Sequence, residues 1–268
     1  MGWSESWQPR LAEVFGAVGP PQRLGRAVWR LRAGGRTVVV KTGAGVGDEA
    51  DGLRQLAAVA GGPAVPEVLL GQPDLLVTGW VEPAPRTTEH DERLGRQLAG
   101  LHRTPADSWG GGSSWIGACR VDPAPRADGA GFYRDRLLDL AGRCRLQAEV
   151  APVAERLEQL VPFAGPACLH GDLWWGNVVR GASGRPWLID PSVHGGHPEE
   201  DLAMLGLFGP VPDRLLNAYL ELHPLADGWR QRVALWQLYP LLVHSVLFGG
   251  GYRAQATAAA RRYAPRRR

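Results

Sequence analysis

The residues best suited to chemistry lie in one short segment. It reads His170-Gly171-Asp172-Leu173-Trp174-Trp175-Gly176-Asn177, followed by Leu188-Ile189-Asp190. Asp172, an Asn five residues later and a second Asp thirteen residues beyond that supply two carboxylates and an amide oxygen. Phosphoryl transfer to an alcohol needs such a set. One carboxylate accepts the hydroxyl proton and orients the nucleophile, while an amide oxygen and another carboxylate hold Mg²⁺ against nucleotide phosphates. Asp172 is the candidate base, and Asn177 and Asp190 are the candidate metal ligands. Each alone is mundane: a turn cap, a turn filler, a strand end. Together they carry weight, because Asn177 is one of only two Asn in 268 residues.

Lys41 is an independent signal. The chain has 30 basic residues, 29 of them Arg, and the single Lys ends the apolar strand VVVK. A compositional bias toward Arg explains the shortage, and a solvated strand end is the bland reading of Lys41. The chemical reading is that a compact ammonium is needed to hold nucleotide phosphates, steadied by an acid on the next helix. Glu49 is the candidate partner, with Asp48 and Asp51 as alternatives.

Positioning these groups requires two kinds of element. Residues 27–41 read as a hairpin around Ala33-Gly34-Gly35, and 48–60 as a helix capped by Asp48. Apolar runs at 65–71 and 75–83 follow, and Pro83 and Pro85 stop the second, making 82–88 a joint. The expected division is a nucleotide-binding lobe over 1–82 and a catalytic, acceptor-binding lobe over 83–268. In the second lobe, 91–103 place Leu94, Leu98 and Leu101 on one helical face. Residues 106–130 read as a long loop, and 131–161 as helical with Pro152 as a candidate break. Residues 213–223, 229–247 and 253–262 are further helices, and 167–192 is β-like, with NVV and PWLID as short strands. The class is α+β: a small strand-rich half followed by a larger helical half.

Composition removes other classes. At 44% hydrophobic and 21% charged, the chain can bury a core, which excludes disorder. A net charge of +3 is too balanced to point to nucleic acid. Cys119, Cys144 and Cys168 are odd in number and form no CxxC pair, so free thiols and a cytoplasmic setting are expected. The start lacks an apolar run, and Gly2 with Ser6 makes only a loose acylation pattern. The apolar stretch 235–248 is too short to span a bilayer, so no membrane partner is expected. GAGVG at 43–47 falls one residue short of a dinucleotide fingerprint. His194 and His197 with Glu199, Glu200 and Asp201 read as a polar loop rather than a metal cluster. The basic tail 261–268 reads as a frayed end, and Trp109, Trp115 and Trp174 as flanking a pocket.

LHGDLWWGNV (169–178) resembles the signature of the fructosamine kinases (ketosamine 3-kinases), relatives of the aminoglycoside phosphotransferases. VVVKT (38–42), LGRQLAGLH (94–102), IDPS (189–192), EEDLAML (199–205), LFG (207–209) and LYPLLVHSVLFGGGY (238–252) extend the likeness over nearly the whole chain. The resemblance implies a bilobal protein-kinase-like fold, with a small antiparallel-sheet lobe carrying one main helix and a larger helical lobe. It implies ATP and Mg²⁺ as cofactors, and a small-molecule or protein-bound ketosamine as partner, phosphorylated on its 3-hydroxyl in support of deglycation. A monomer is expected. By the same resemblance Asp172 is the base, Asn177 and Asp190 bind Mg²⁺, and Lys41 and Glu49 form the phosphate-binding pair. Thr78, Gly79, Trp80 and Val81 would hold adenine, Trp174, His170 and His194 would lie on the acceptor side, and Asp201 would bond the catalytic-loop backbone. The chain departs from the family pattern in three places. Its nucleotide loop, PPQRLGRA (20–27), has a single Gly25, for which Arg23 and Arg26 are candidate compensators. His194-Gly195 replaces an aromatic pair and Pro198 an Arg, and Trp175 is bulkier than usual. An aminoglycoside or other amino-alcohol phosphotransferase and a nucleotide-binding pseudokinase are the alternatives.

Overall fold

The computed structural model describes residues 7–85 and 87–265. Arg86 of the expected joint, the Gly2–Ser6 pattern and the last three residues of the basic tail lie outside the described residues.

Helix α1 (Gln8–Phe15) precedes strands β1 (Gln22–Gly25), β2 (Val28–Ala33) and β3 (Arg36–Thr42), helix α2 (Val46–Ala57), and strands β4 (Val68–Gln72) and β5 (Leu75–Gly79). The five strands form one antiparallel sheet in the order β1-β2-β3-β5-β4. Strand periodicity sorts β3. Val38 and Val40 are buried with Trp29, Leu31 and Trp7, under α1, so Val39 and Lys41 take the opposite face, toward α2. The sequence showed the β2–β3 hairpin but assigned no element to α1 or β1. Helix α2 starts at Val46 behind Gly45 (φ 86°), not at an Asp48 cap. The Asp48 carboxylate instead accepts from the Ser114 backbone N–H at 2.8 Å.

The remaining chain is mostly helical. It comprises α3 (Thr88–His102), the hairpin strands β6 (Trp115–Ile116) and β7 (Cys119–Arg120), α4 (Gly129–Arg143), α5 (Gln147–Ala154) and α6 (Leu157–Leu160). Strands β8 (Ala167–Leu169), β9 (Val178–Arg180), β10 (Pro186–Leu188) and β11 (His194–Gly196) follow, then α7 (Glu199–Leu205), α8 (Asp213–Leu222), α9 (Trp229–Trp236), α10 (Leu238–Phe248) and α11 (Gly251–Arg261). The expected loop 106–130 thus contains a short hairpin. The helical stretch after it breaks at Cys144–Leu146, where Arg145 turns left-handed (φ 59°), while Pro152 sits inside α5. The stretch 229–247 divides at Gln237, because Pro240 in the first turn of α10 has no N–H to continue the ladder of α9. One core packs α4, α5 and α9–α11 together; a second packs α3, α7 and α8 beneath Leu173, Val178 and Leu188. That second core carries the loop holding Asp172 and Asn177. Trp109 belongs to the first core, against Phe163 at 5.5 Å, and not to a pocket wall.

Candidate active site

Asp172 follows β8, in a loop fastened from below. Asp201, at the third position of α7, is fully buried and accepts from the backbone N–H groups of His170 (2.8 Å) and Gly171 (2.9 Å) and from His102 Nε2 (3.2 Å). Tyr219 Oη braces the other ring nitrogen of His102 at 2.8 Å. Burial alone would raise the Asp201 pKa, but these donors together hold its carboxyl below the ordinary range. The expectation for Asp201 therefore holds in geometry. Gly171 (φ 80°) has no room for a side chain, because a Cβ would overlap the Ser192 carbonyl oxygen.

The Asn177 amide nitrogen donates to the Asp172 carbonyl (2.8 Å) and to Asp172 Oδ2 (3.2 Å). That orientation spends the nitrogen and turns the amide oxygen away from Asp172, the arrangement a metal-ligating Asn needs. Strands β9 and β10 pair from Val178 to Leu188, and the Ile189 N–H donates to the Asn177 carbonyl at 3.0 Å. This short ribbon delivers Asp190 beside Asn177. Asp190 is left-handed (φ 56°), a conformation Asp tolerates at a cost of about 1 kcal/mol.

Lys41 Nζ bonds Glu49 Oε1 at 2.7 Å and also bonds Asp190 Oδ1. Burial opposes its charge, but the two carboxylates outweigh burial and raise its pKa. For Glu49, burial wins over the Lys41 charge and the pKa rises. Of the three acids weighed as partners for Lys41, Glu49 is the one in contact. Asp172 is pushed up to about 7, first by burial and then by the Asp190 charge, against the Asn177 hydrogen bond.

Two cavities meet this constellation. The first is lined by Val39, Lys41, Leu53, Thr78, Trp80, Val81, Val179 and Asp190. Apolar walls with a cation and a carboxylate at one end suit a purine nucleotide, its phosphates toward Lys41. Thr78, Trp80 and Val81 are therefore at the cleft, although the Trp80 N–H is spent on the Thr37 carbonyl (3.1 Å). The sequence reading missed Val39, Leu53 and Val179; the alternation of β3 was the available signal for Val39.

The second cavity is lined by Asp172 with Ile116, Tyr133, Glu200, Met204, Tyr239 and His244. It corrects two expectations. His170 is fully buried, its Nε2 on the Ile189 carbonyl (3.0 Å) and its Nδ1 accepting from the Asp172 N–H (3.3 Å). His194 is buried too, held by the Ser192 carbonyl (2.9 Å) and Arg136 Nη1 (2.9 Å). Both rings hold loops in place and neither lines the cavity. Gly195 has no room for a side chain, because a Cβ there would overlap the Ser108 carbonyl oxygen. Trp174 is exposed beside the site; Trp115 packs its ring over Gly45 and lines neither cavity. His197 stacks on Trp236 at 4.7 Å, and Glu199 bonds Arg232 and Trp236, so the polar loop is a packing unit.

Asp172, Asn177 and Asp190 gathered below an antiparallel sheet whose Lys is paired to a helix Glu define an ATP-dependent phosphotransferase of protein-kinase-like fold. The same fold occurs, at 12% identity and a TM-score of 0.63, in a gentamicin complex of an aminoglycoside phosphotransferase. The fructosamine kinase family model matches residues 28–264, and the chain belongs to that family. A protein of Thermus thermophilus named as a probable ketoamine kinase is 40% identical over 211 residues, covering 76% of this chain and 77% of that one. A crystal structure assigned as fructosamine-3-kinase, from Thermobifida fusca, superposes with a TM-score of 0.87 at 37% identity, over 96% of this chain and 98% of that one. Among the described residues no helix is long and apolar enough to cross a membrane.

Proposed function

We propose that this protein transfers the γ-phosphoryl group of ATP to the 3-hydroxyl of a ketosamine. The observation that supports the reading is geometric: Asp172 lines the second cavity beside the Lys41–Asp190 cleft, where burial and the Asp190 charge raise its carboxyl. The family supplies the ketosamine and the 3-hydroxyl.

The adenine would lie between Val39, Leu53 and Val179, with Lys41 on the phosphates. The hard oxygens of Asn177 and Asp190 fit Mg²⁺, and the amide orientation of Asn177 supports the assignment. When bound, Mg²⁺ neutralises charge on the transferred phosphoryl group. The acceptor hydroxyl would reach Asp172 from the second cavity. Its oxygen forms the new bond to phosphorus, its proton passes to the Asp172 carboxylate, and the bond between the γ-phosphorus and the bridging oxygen breaks to release ADP. Lys41 would exchange its contact with Asp190 for the phosphates, freeing that carboxylate for the metal. Tyr133 and Glu200 would take neighbouring sugar hydroxyls, because the buried Tyr133 hydroxyl has no hydrogen-bond partner among the described residues. Residues 1–82 and 83–268 would act as the two lobes, hinged near Pro83.

The test is ATP consumption with fructosyl-, ribulosyl- and erythrulosyl-lysine derivatives and with kanamycin, using Asp172→Asn as control. Turnover of a ketosamine that vanishes in the variant is expected. Turnover of kanamycin alone would move the protein to the aminoglycoside reading, and ATP binding without any turnover to the pseudokinase reading.

A further inference from the structure

The GAGVG run at 43–47, which the site leaves unused, leads into helix α2, and Glu49 stands in the first turn of that helix. Gly45 is left-handed (φ 86°), and a Cβ on it would lie 2.9 Å from Cγ of the Trp115 ring. This glycine is therefore the seat of Trp115, which comes from the larger, helical lobe. Beside it, Asp48 accepts from the Ser114 N–H at 2.8 Å. A hydrogen bond to a charged acceptor belongs to the stronger class, and a carboxylate in the first turn also suits the helix dipole.

The segment carrying Ser114 and Trp115 is held in turn by the chain just beyond Asp190. The Ser113 N–H donates to the Val193 carbonyl (2.9 Å), and the buried Ser192 hydroxyl donates to the Trp115 carbonyl (2.8 Å). Gly52, three residues after Glu49, backs onto the same chain: a Cβ there would lie 3.0 Å from Val193 Cγ2. Farther along, Leu56 is buried with Leu101, Cys168 and Val193, and beyond the helix the Leu188 N–H donates to the Ala64 carbonyl (2.8 Å). Helix α2 is thus fastened to the larger lobe from end to end, although the chain places it in the smaller one.

The consequence falls on Lys41. Its two carboxylates come from different lobes: Glu49 follows Asp48 directly, and Asp190 lies two residues before Ser192. The 113–115 segment bonds both Asp48 and Ser192, so it sets the spacing of the two carboxylates. We infer that Asp48 and Trp115 are positioning residues for phosphoryl transfer, holding α2 against the larger lobe so that Glu49 stays on Lys41 without a nucleotide to draw it in. This rests on the reading of Lys41 and Glu49 as the phosphate-binding pair. Neither Asp48 nor Trp115 lines the two cavities, so both act through Glu49.

The experiment has two readouts. In hydrogen exchange, amides 46–57 of the unaltered protein should be protected without nucleotide and gain less than about twofold from ATP and Mg²⁺. They should exchange about tenfold faster in Asp48→Ala and Trp115→Ala. Asp48→Asn, whose amide oxygen still accepts from Ser114, and Trp115→Phe should restore the protection. In kinetics at a saturating ketosamine, Asp48→Ala should cut kcat/KM for ATP about tenfold, and Asp48→Asn should recover most of it. In a Glu49→Gln background Asp48→Ala should cost nothing further, because the group it positions is gone. Protection of 46–57 that appears only with ATP and Mg²⁺ would overturn the inference. So would an additive loss in the Glu49→Gln background, which marks a purely structural role. A Glu49→Gln protein with unaltered kcat/KM for ATP would overturn the phosphate-pair reading and the inference together. An impaired Glu49→Gln beside an unaffected Asp48→Ala would overturn the inference alone. The exchange readout needs no acceptor, so it decides even where the ketosamine reading fails.

Discussion

The two sides of the cleft are finished to different degrees. On the side proposed for the nucleotide the charges are engaged with one another. Lys41 lies between Glu49 and Asp190, Asn177 is bonded to Asp172, and Asp201 takes three donors beneath the loop. On the side proposed for the acceptor the buried Tyr133 hydroxyl has no hydrogen-bond partner among the described residues, and Trp174, Phe208 and Phe248 present their rings to solvent. Apart from the Lys41–Asp190 contact, which nucleotide and metal would have to open, the groups proposed to carry the transfer are held in place by the scaffold in advance. The acceptor wall instead holds polar and aromatic groups that only a ligand completes. Chemistry and specificity thus reside in different parts of the fold and should break separately.

The largest effect is expected at the base. Asp172→Asn should lower kcat by about 10³-fold or more while leaving ATP affinity within a few-fold, read by coupled assay and calorimetry. In the unaltered protein, kcat/KM should rise with pH through about 7 as Asp172 loses its proton. The same raised pKa has a stability consequence. A carboxyl that holds its proton more tightly when folded costs stability as pH rises above its unfolded pKa. Asp172→Asn should therefore raise Tm at pH 8, by a few degrees, and the gain should vanish near pH 4.

Next in size is Lys41, the cation proposed to hold the phosphates. Lys41→Met should cut kcat/KM for ATP about 10²-fold, and Lys41→Arg should not rescue it, because a planar guanidinium does not replace a compact ammonium between two carboxylates. Acceptor preference, compared at saturating ATP, should be unchanged in either variant; a shifted preference would break the separation of the two sides.

How much of this was legible in the sequence follows from chemistry and chain distance. Lys41, Glu49, Asp172, Asn177 and Asp190 stood out because a rare residue type or a short fixed spacing marked them, and all five meet in space. The cavity wall did not stand out. Tyr133, Glu200, Tyr239 and His244 come from three helices, and in sequence each is a helical position that packs a core equally well. His170 and His194 fall on the acceptor side only by the family resemblance; in the structure both ring nitrogens of each are spent on the scaffold. The split between α9 and α10 was missed because the apolar pattern runs through Gln237 while the backbone constraint comes from Pro240.

Smaller effects sharpen the contrast from the scaffold side. Asp201→Asn should destabilise the fold by about 2–3 kcal/mol, since buried donors lose a charged acceptor. The Asp201 pKa is lower folded than unfolded, so the stabilisation it supplies is full above its unfolded pKa and is lost as pH falls through the folded one. The gap between the two proteins in denaturant titrations should narrow below about pH 4. Smallest of all, Arg23→Ala should raise KM for ATP about two- to threefold. Arg23 donates to the Gly25 (2.9 Å) and Arg26 (3.0 Å) carbonyls and so stiffens the turn that replaces a Gly-rich loop.

The central claim is that Asp172 directs ATP's γ-phosphoryl group to the 3-hydroxyl of a ketosamine, and product structure tests it most directly. After incubation of fructosyl- and ribulosyl-lysine derivatives with ATP and Mg²⁺, ³¹P and ¹H NMR would locate the new ester. The account predicts phosphate on the oxygen of carbon 3, and none formed by Asp172→Asn. Phosphate on another hydroxyl, or ester formation that persists in Asp172→Asn, would contradict it.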